Sequence, residues 1–126
     1  MNKKKIYKIL LVEDNPAMSK VYRNRLVSEG FEVITAEDGE QGIDKIRSEK
    51  PELVLLDLIM PKVDGFGVLE EIRKDKKYNK IPIIVLSNLG QASDLEKAKK
   101  LGATDYLIKA DFSLVDVVKR VRQHLN

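Results

Sequence analysis

Apolar and polar positions come in blocks along this chain, and the blocks have two periods. Lys8-Ile9-Leu10-Leu11-Val12 is a short apolar run that stops at Glu13-Asp14-Asn15-Pro16. Leu53-Val54-Leu55-Leu56 and Ile83-Ile84-Val85-Leu86 are runs of the same kind. The first ends at Asp57, and the second is entered through Pro82, where a missing N–H costs little. Such continuous runs predict strands buried on both faces. Phe31 to Ala36 and Asp105 to Lys109 also predict strands, but Glu32 and Thr35 in the one, and Asp105 and Lys109 in the other, make them partly polar.

Between the runs, apolar residues recur at helical spacing. Met18, Val21, Tyr22 and Leu26 follow Pro16, a residue suited to a first helical turn, and Gly30 ends that helix. Asp38 caps a second helix with Ile43 and Ile46 turned inward, which stops before Pro51. Asp64 caps a third, carrying Phe66, Leu69 and Ile72. Ser93 followed by Glu96 is a capping-box signal for a fourth, ending near Gly102. Ser113 followed by Asp116 opens the last, in which Leu114, Val117, Val118, Val121 and Leu125 form one apolar stripe.

Strands alternating with helices predict an α/β fold: a parallel sheet with helices on both faces and right-handed crossovers. The three apolar strands belong in the middle and the two partly polar strands at the edges. The order 2-1-3-4-5 achieves this, giving a doubly wound, flavodoxin-like (βα)5 sheet. A chain of 126 residues has the size of one such domain, residues 1–126, and no room for a second.

With 43% hydrophobic and 34% charged residues, the chain can bury a real core and is not a disordered polymer. The absence of cysteine excludes disulfides and thiolate metal sites and suits a reducing, cytoplasmic setting. Lys3, Lys4 and Lys5 ahead of an apolar run have the outline of a signal peptide. That run contains Lys8 and leads into Glu13 and Asp14 with no small-residue cleavage site, so the outline is rejected. No stretch approaches the roughly 20 apolar residues of a membrane span. The net charge is +3, with lysines grouped at the N-terminus, between Lys74 and Lys80, and at Lys97, Lys99 and Lys100. They are spread over helix surfaces and a turn rather than gathered on one reading element, so they read as solvated faces and no direct nucleic-acid contact is expected.

In such sheets ligands bind beyond the carboxyl ends of the strands, where the strand order reverses. Here that point lies between the first and third strands, so Glu13, Asp14 and Asp57 converge on it. Ser87 ends the fourth strand and Lys109 the fifth, at the same rim. Close carboxylates repel one another unless a cation offsets them, and Mg²⁺ is a cation that takes oxygen ligands. Lys109 adds a second positive charge and Ser87 a hydroxyl donor. A carboxylate nucleophile, a metal, a cation and a positioned donor are the parts of phosphoryl transfer. Each residue alone has an ordinary explanation: loop charges, a loop cap, a turn hydroxyl, an edge-strand lysine. Five of them falling on one rim point to a site.

These residues resemble the receiver domains of two-component response regulators, over essentially the whole chain. Leu10-Leu11-Val12-Glu13-Asp14-Asn15 is similar to the family's first strand and acidic pair, and Asp57-Leu58-Ile59-Met60-Pro61-Lys62-Val63-Asp64-Gly65 to its phosphorylation loop. Ser87 stands where the family carries Thr or Ser, and Gly102-Ala103-Thr104-Asp105-Tyr106-Leu107-Ile108-Lys109 resembles its fifth-strand motif. The resemblance implies that Asp57 is the phosphoacceptor and a Mg²⁺ ligand. It implies that Asp14 binds the metal directly, Glu13 mainly through water, and Ile59 through its backbone carbonyl. Ser87 would contact the phosphoryl group and move on activation, Lys109 would pair with that group, and Tyr106 would be the rotameric switch. The partners implied are a sensor histidine kinase or phosphotransfer protein, and a downstream effector or second copy meeting the face of the fourth helix, fifth strand and fifth helix. The chain would catalyse only its own phosphorylation and dephosphorylation.

Two positions depart from the family. Ala110 follows the lysine where a proline with a cis peptide is usual, and a cis bond before a non-proline residue costs about 2.5–4 kcal/mol. Either the fold forces that bond, or it is trans and the Lys109 loop is altered. Ser87 in place of threonine removes a methyl.

Two other functions compete. A Mg²⁺-dependent phosphatase of the haloacid dehalogenase type needs a second Asp two residues after the nucleophile; Ile59 stands there, and no insertion is long enough for a cap. A binding module independent of phosphorylation would not need the intact acidic pocket. No output domain follows Leu125-Asn126, which fits both a stand-alone regulator and a piece of a larger one.

Overall fold

In the computed structural model, which describes residues 5–125, the chain runs β1 (Lys8–Val12), α1 (Pro16–Ser28), β2 (Glu32–Ala36), α2 (Gly39–Glu49), β3 (Leu53–Leu56), α3 (Gly65–Arg73), β4 (Ile83–Ser87), α4 (Ala92–Lys100), β5 (Asp105–Ile108) and α5 (Leu114–His124). Lys3 and Lys4 of the N-terminal lysine group, and Asn126, lie outside the described residues. All strand pairs are parallel, in the order β2-β1-β3-β4-β5. The apolar strands are central and the partly polar ones are edges, as their sequences require.

The two-residue period of a strand divides the core in two. Leu10, Val12, Val54, Leu56, Ile83 and Val85 point to one face, where Ile46 of α2, Val68, Leu69 and Ile72 of α3 and Ala98 of α4 cover them. Ile9, Leu11, Leu53, Leu55, Ile84 and Leu86 point to the other, under Tyr22 and Leu26 of α1 and Val117, Val118 and Val121 of α5. Val21, expected on the buried stripe of α1, is 45% exposed, because the helix packs through Tyr22 and Leu26, four residues apart, and Val21 falls on their flank.

Three of the expected caps form: the side chains of Asp38, Asp64 and Ser113 accept the N–H groups of Gln41, Gly67 and Asp116 at 2.8, 2.9 and 3.2 Å. The capping box at Ser93 does not form. α4 opens at Ala92 with Gln91 as its N-cap and no side-chain cap, so Ser93 already lies inside the first turn. The loop before it is held at Leu89, whose N–H donates to Ser87 Oγ and whose carbonyl accepts from the Tyr106 hydroxyl. β5 ends at Ile108, and Lys109–Asp111 form a 3-10 turn instead of a strand end. No peptide among the described residues is cis, so the Lys109–Ala110 bond is trans. Another 3-10 turn, Lys76–Tyr78, lies between α3 and β4. Among the described residues no helix is long and apolar enough to cross a membrane.

α5 is tied to the edge strand through Asp105, whose Oδ2 meets Arg120 Nη1 at 2.8 Å and His124 Nε2 at 3.0 Å. Burial pushes the Asp105 carboxyl upward, but the bonds from His124, Arg120 and the Tyr106 N–H outweigh it and hold the pKa below the ordinary 3.8. A depressed carboxylate stabilises the fold above its unfolded pKa and loses that contribution as pH falls through the folded value. Asp105→Asn is therefore expected to lower the melting temperature at pH 7 and to flatten the acid limb below about pH 4. Equal acid limbs in both proteins would remove this cluster from the acid response.

A carboxylate cleft at the carboxyl ends of the strands

The sheet mounts the acidic residues on rigid backbone. The Asp57 N–H donates to the Val12 carbonyl at 3.0 Å, and the Glu13 N–H to that of Ala36 at 3.0 Å, so each extends a strand ladder by one bond. Glu13 is 4% exposed and Asp57 7%. Asp14, one step farther along, is exposed. One carboxylate oxygen from each of the three lies within 4.8 Å of the others. Behind Asp57, α3 begins against the loop: the Gly65 N–H donates to the Leu58 carbonyl at 3.0 Å, and a β-carbon at Gly65 would fall on the Asp57 carbonyl oxygen. Only glycine allows α3 so close to the floor of the site.

Lys109 reaches across from the 3-10 turn after β5, its Nζ 2.5 Å from Glu13 Oε1 and 3.4 Å from Asp57 Oδ2. The remaining carboxylate oxygens are held by backbone: Asn15 N–H donates to Glu13 Oε2 at 3.1 Å, and Ile59 N–H to Asp57 Oδ1 at 3.3 Å. Burial pushes the pKa of Glu13 up, and the bond from Lys109 only partly opposes it. Burial alone would lower the Lys109 pKa, but the Glu13 bond and the charge of Asp57 raise it on balance, so the ammonium persists.

These groups line a cleft of about 400 Å³ together with Asn15, Met18, Tyr22, Ile59, Asn88 and Ala110. A larger hollow, about 540 Å³, opens on the other side of Glu13 and Asp14, toward Lys20, Arg23 and Asp38. It contains neither Asp57 nor Lys109, so the chemistry belongs to the smaller cleft. Three carboxylates face one ammonium there, and an all-oxygen donor set that is short of positive charge suits a hard divalent cation such as Mg²⁺.

Strand ends placed Glu13, Asp14, Asp57, Ser87 and Lys109 on one rim, and the resemblance added Ile59; the fold brings Glu13, Asp14, Asp57, Ile59 and Lys109 to one cleft. Ser87 is different: it ends β4 but is wholly buried and does not line the cleft, its Oγ accepting the Leu89 N–H at 3.3 Å. Asn88, the next residue, lines the cleft instead and was not foreseen; its only signal is that it follows a strand end on the site's rim. Leu89 gave no signal, because it acts through its backbone. Its carbonyl accepts the half-buried Tyr106 hydroxyl at 2.6 Å. Burial, then the charges of Asp94 and Asp57, push the Tyr106 phenol up to about 12, so it remains a donor.

Residues 9–122 match the model of the response regulator receiver domain. The chain is 42% identical over 115 residues to the probable transcriptional regulator ycf27 of Guillardia theta, covering 91% of this chain and 44% of that protein. It is 38% identical over 122 residues to the alkaline phosphatase synthesis transcriptional regulatory protein PhoP of Bacillus subtilis, covering 97% and 48%. It thus spans about half the length of the curated relatives it matches. Among solved structures, the chemotaxis protein CheY4 of Vibrio cholerae superposes with a TM-score of 0.89 at 26% identity, over 96% of this chain and 100% of that one. The strand order, the acidic cleft and these matches agree: the chain belongs to the response regulator receiver domain family.

Proposed function

We propose that Asp57 accepts a phosphoryl group from the phosphohistidine of a sensor histidine kinase or phosphotransfer protein, in a Mg²⁺-dependent step, and that the α4–β5–α5 face passes the change on. The carrying observation is the meeting of three carboxylate oxygens within 4.8 Å, two of those residues touched by Lys109. Asp14, Asp57 and the Ile59 carbonyl would hold Mg²⁺ directly and Glu13 through water; when bound, the metal offsets the repulsion between the carboxylates and an anionic donor. An Asp57 carboxylate oxygen attacks phosphorus, an O–P bond forms as the N–P bond of the donor breaks, and the leaving imidazole keeps the electron pair. Ile59 N–H fixes Oδ1 in place, while Oδ2 faces Lys109. The new charge draws Lys109 from Glu13 toward the phosphoryl oxygens. Ser87 turns its hydroxyl to the same oxygens, which disturbs its bond from Leu89 and through Leu89 the bond from Tyr106. Two-state switching needs contacts that differ between the states, and these hydrogen bonds supply them.

Residues 1–126 act in this reading as one receiver unit in the cytoplasm, and receiver domains are generally not enzymes acting on other substrates. The downstream partner, an effector or a second copy, meets the face that contains Tyr106. The test is intact mass after treatment with acetyl phosphate: one phosphoryl group is expected with Mg²⁺ and none with EDTA. No gain under either condition would favour the phosphorylation-independent binding module.

The metal has its own readout. A ligand that binds only the folded state stabilises it by about 2.7 kcal/mol at a hundredfold excess over Kd. Millimolar Mg²⁺ is expected to raise the melting temperature of the wild type and to do so much less in Asp14→Ala. Equal responses would remove Asp14 from the metal site.

A further inference from the structure

The end of the sheet opposite Asp57 carries a hollow of about 390 Å³. Its position follows from the connections: Pro51 and Ile81 precede β3 and β4, so they stand at the amino ends of the strands. The walls are apolar. Ile46 of α2 and Pro51 are buried, and Tyr78 and Ile81 are half-buried. The rim is cationic, formed by Arg47, Lys50 and Lys77.

The nearby acids already have partners, two of them on the rim itself. Glu49 meets Lys8 at 3.6 Å, Glu71 meets Arg47 at 3.1 Å and Lys74 at 3.7 Å, and Asp75 accepts the Lys77 backbone N–H at 3.0 Å. Arg47 of the rim is therefore paired with Glu71, while the ammonium groups of Lys50 and Lys77 have no carboxylate partner among the described residues. Lys50 adds an independent observation. It caps α2 with φ 48° and ψ 58°, the left-handed conformation in which glycine or asparagine is the inexpensive choice. A lysine occupies that position despite the backbone cost, and it lines the hollow.

We propose that this hollow binds a small amphipathic anion: a phosphate or carboxylate carried on a flat apolar group. The volume lies within the roughly 300–1,000 Å³ of small-ligand sites. The anionic end faces Lys50 and Lys77, and the apolar end packs on Ile46, Pro51, Ile81 and the Tyr78 ring. A bare inorganic anion leaves the walls unused, and a neutral aromatic leaves the lysines unused. Occupancy is independent of the phosphorylation cleft, which is at the other end of the strands.

Phenyl phosphate is the probe, titrated into isotope-labelled protein in EDTA so that no phosphoryl chemistry intervenes. Saturable amide shifts at Ile46, Tyr78 and Ile81 are expected, with Kd on the order of 1 mM or tighter. Inorganic phosphate and benzyl alcohol should each bind at least about tenfold more weakly, and Lys50→Gly with Lys77→Ser should weaken phenyl phosphate by about tenfold or more. Lys50→Gly suits the backbone at that position, so lost binding there is not lost folding. Asp57→Asn should bind as the wild type does. The proposal is overturned if no saturable shift occurs, if inorganic phosphate binds equally well, if the double variant binds unchanged, or if the shifts gather at Asp14, Asp57 and Lys109.

Discussion

Asp57→Asn is expected to take up no phosphoryl group from acetyl phosphate and Mg²⁺, a loss on the order of a thousandfold or more, as removal of a nucleophile that works within a unit commonly gives. Asparagine keeps the shape of the side chain and an oxygen for the Ile59 N–H, which now lies 3.3 Å from Asp57 Oδ1. What disappears is the anionic oxygen that attacks. Neither neighbour can replace it. Glu13 has one oxygen on Lys109 and the other on the Asn15 N–H, and Asp14 is exposed at the edge of the cleft. The variant should fold, because it removes one of three converging negative charges while Lys109 keeps Glu13. Intact mass measures the uptake, and a melting curve confirms the fold. Labelling of Asp57→Asn at the wild-type level would sink the assignment of the nucleophile.

Lys109→Ala is expected to destabilise the metal-free protein by about 3–5 kcal/mol at pH 8, the usual cost of removing one partner from a buried ion pair. For a domain of this size that is a fall of about 10 °C or more in melting temperature. The reason lies in burial: Glu13 and Asp57, 4% and 7% exposed, both rely on this ammonium, which is 10% exposed at its side chain. The sign of the pH dependence follows. Burial raises the Glu13 pKa above the ordinary 4.5 even with Lys109 present. A carboxyl with a raised folded pKa contributes its full stability below the unfolded value and loses it as pH rises through the folded one. Without Lys109 that upward push is less opposed, so the deficit of the variant should be large at pH 8 and shrink toward pH 5. Mg²⁺ should restore stability at pH 8 more strongly in Lys109→Ala than in the wild type. Urea denaturation at the two pH values, with and without Mg²⁺, measures all of this. A variant as stable as the wild type at pH 8 without metal would show that Lys109 does not hold the cleft together.

The order of elements, the strand order and the meeting of Glu13, Asp14, Asp57 and Lys109 were legible in the chain because they depend on period and position. A fully apolar run must be a central strand, a partly polar one an edge, and residues at the carboxyl ends of parallel strands share a rim whatever the loops do. Where each side chain turns at that rim was not legible. Ser87 stands at the predicted strand end, yet the fold buries it on Leu89 and turns Asn88 into the cleft. Ser93 has a capping-box pattern, yet α4 opens at Ala92 with Gln91 as its N-cap, so Ser93 falls inside the first turn. The trans peptide at Lys109–Ala110, and the 3-10 turn that still brings Lys109 to Glu13, were open alternatives until the fold chose one. The hollow at Lys50 and Lys77 joins a helix end to a turn that lies 27 residues farther along. Sequence periodicity reports the face a residue belongs to, because that is set by its own strand or helix. It does not report contacts made by loop backbones or by residues far apart in the chain, because those form only when the elements pack, and tertiary structure alone decided them.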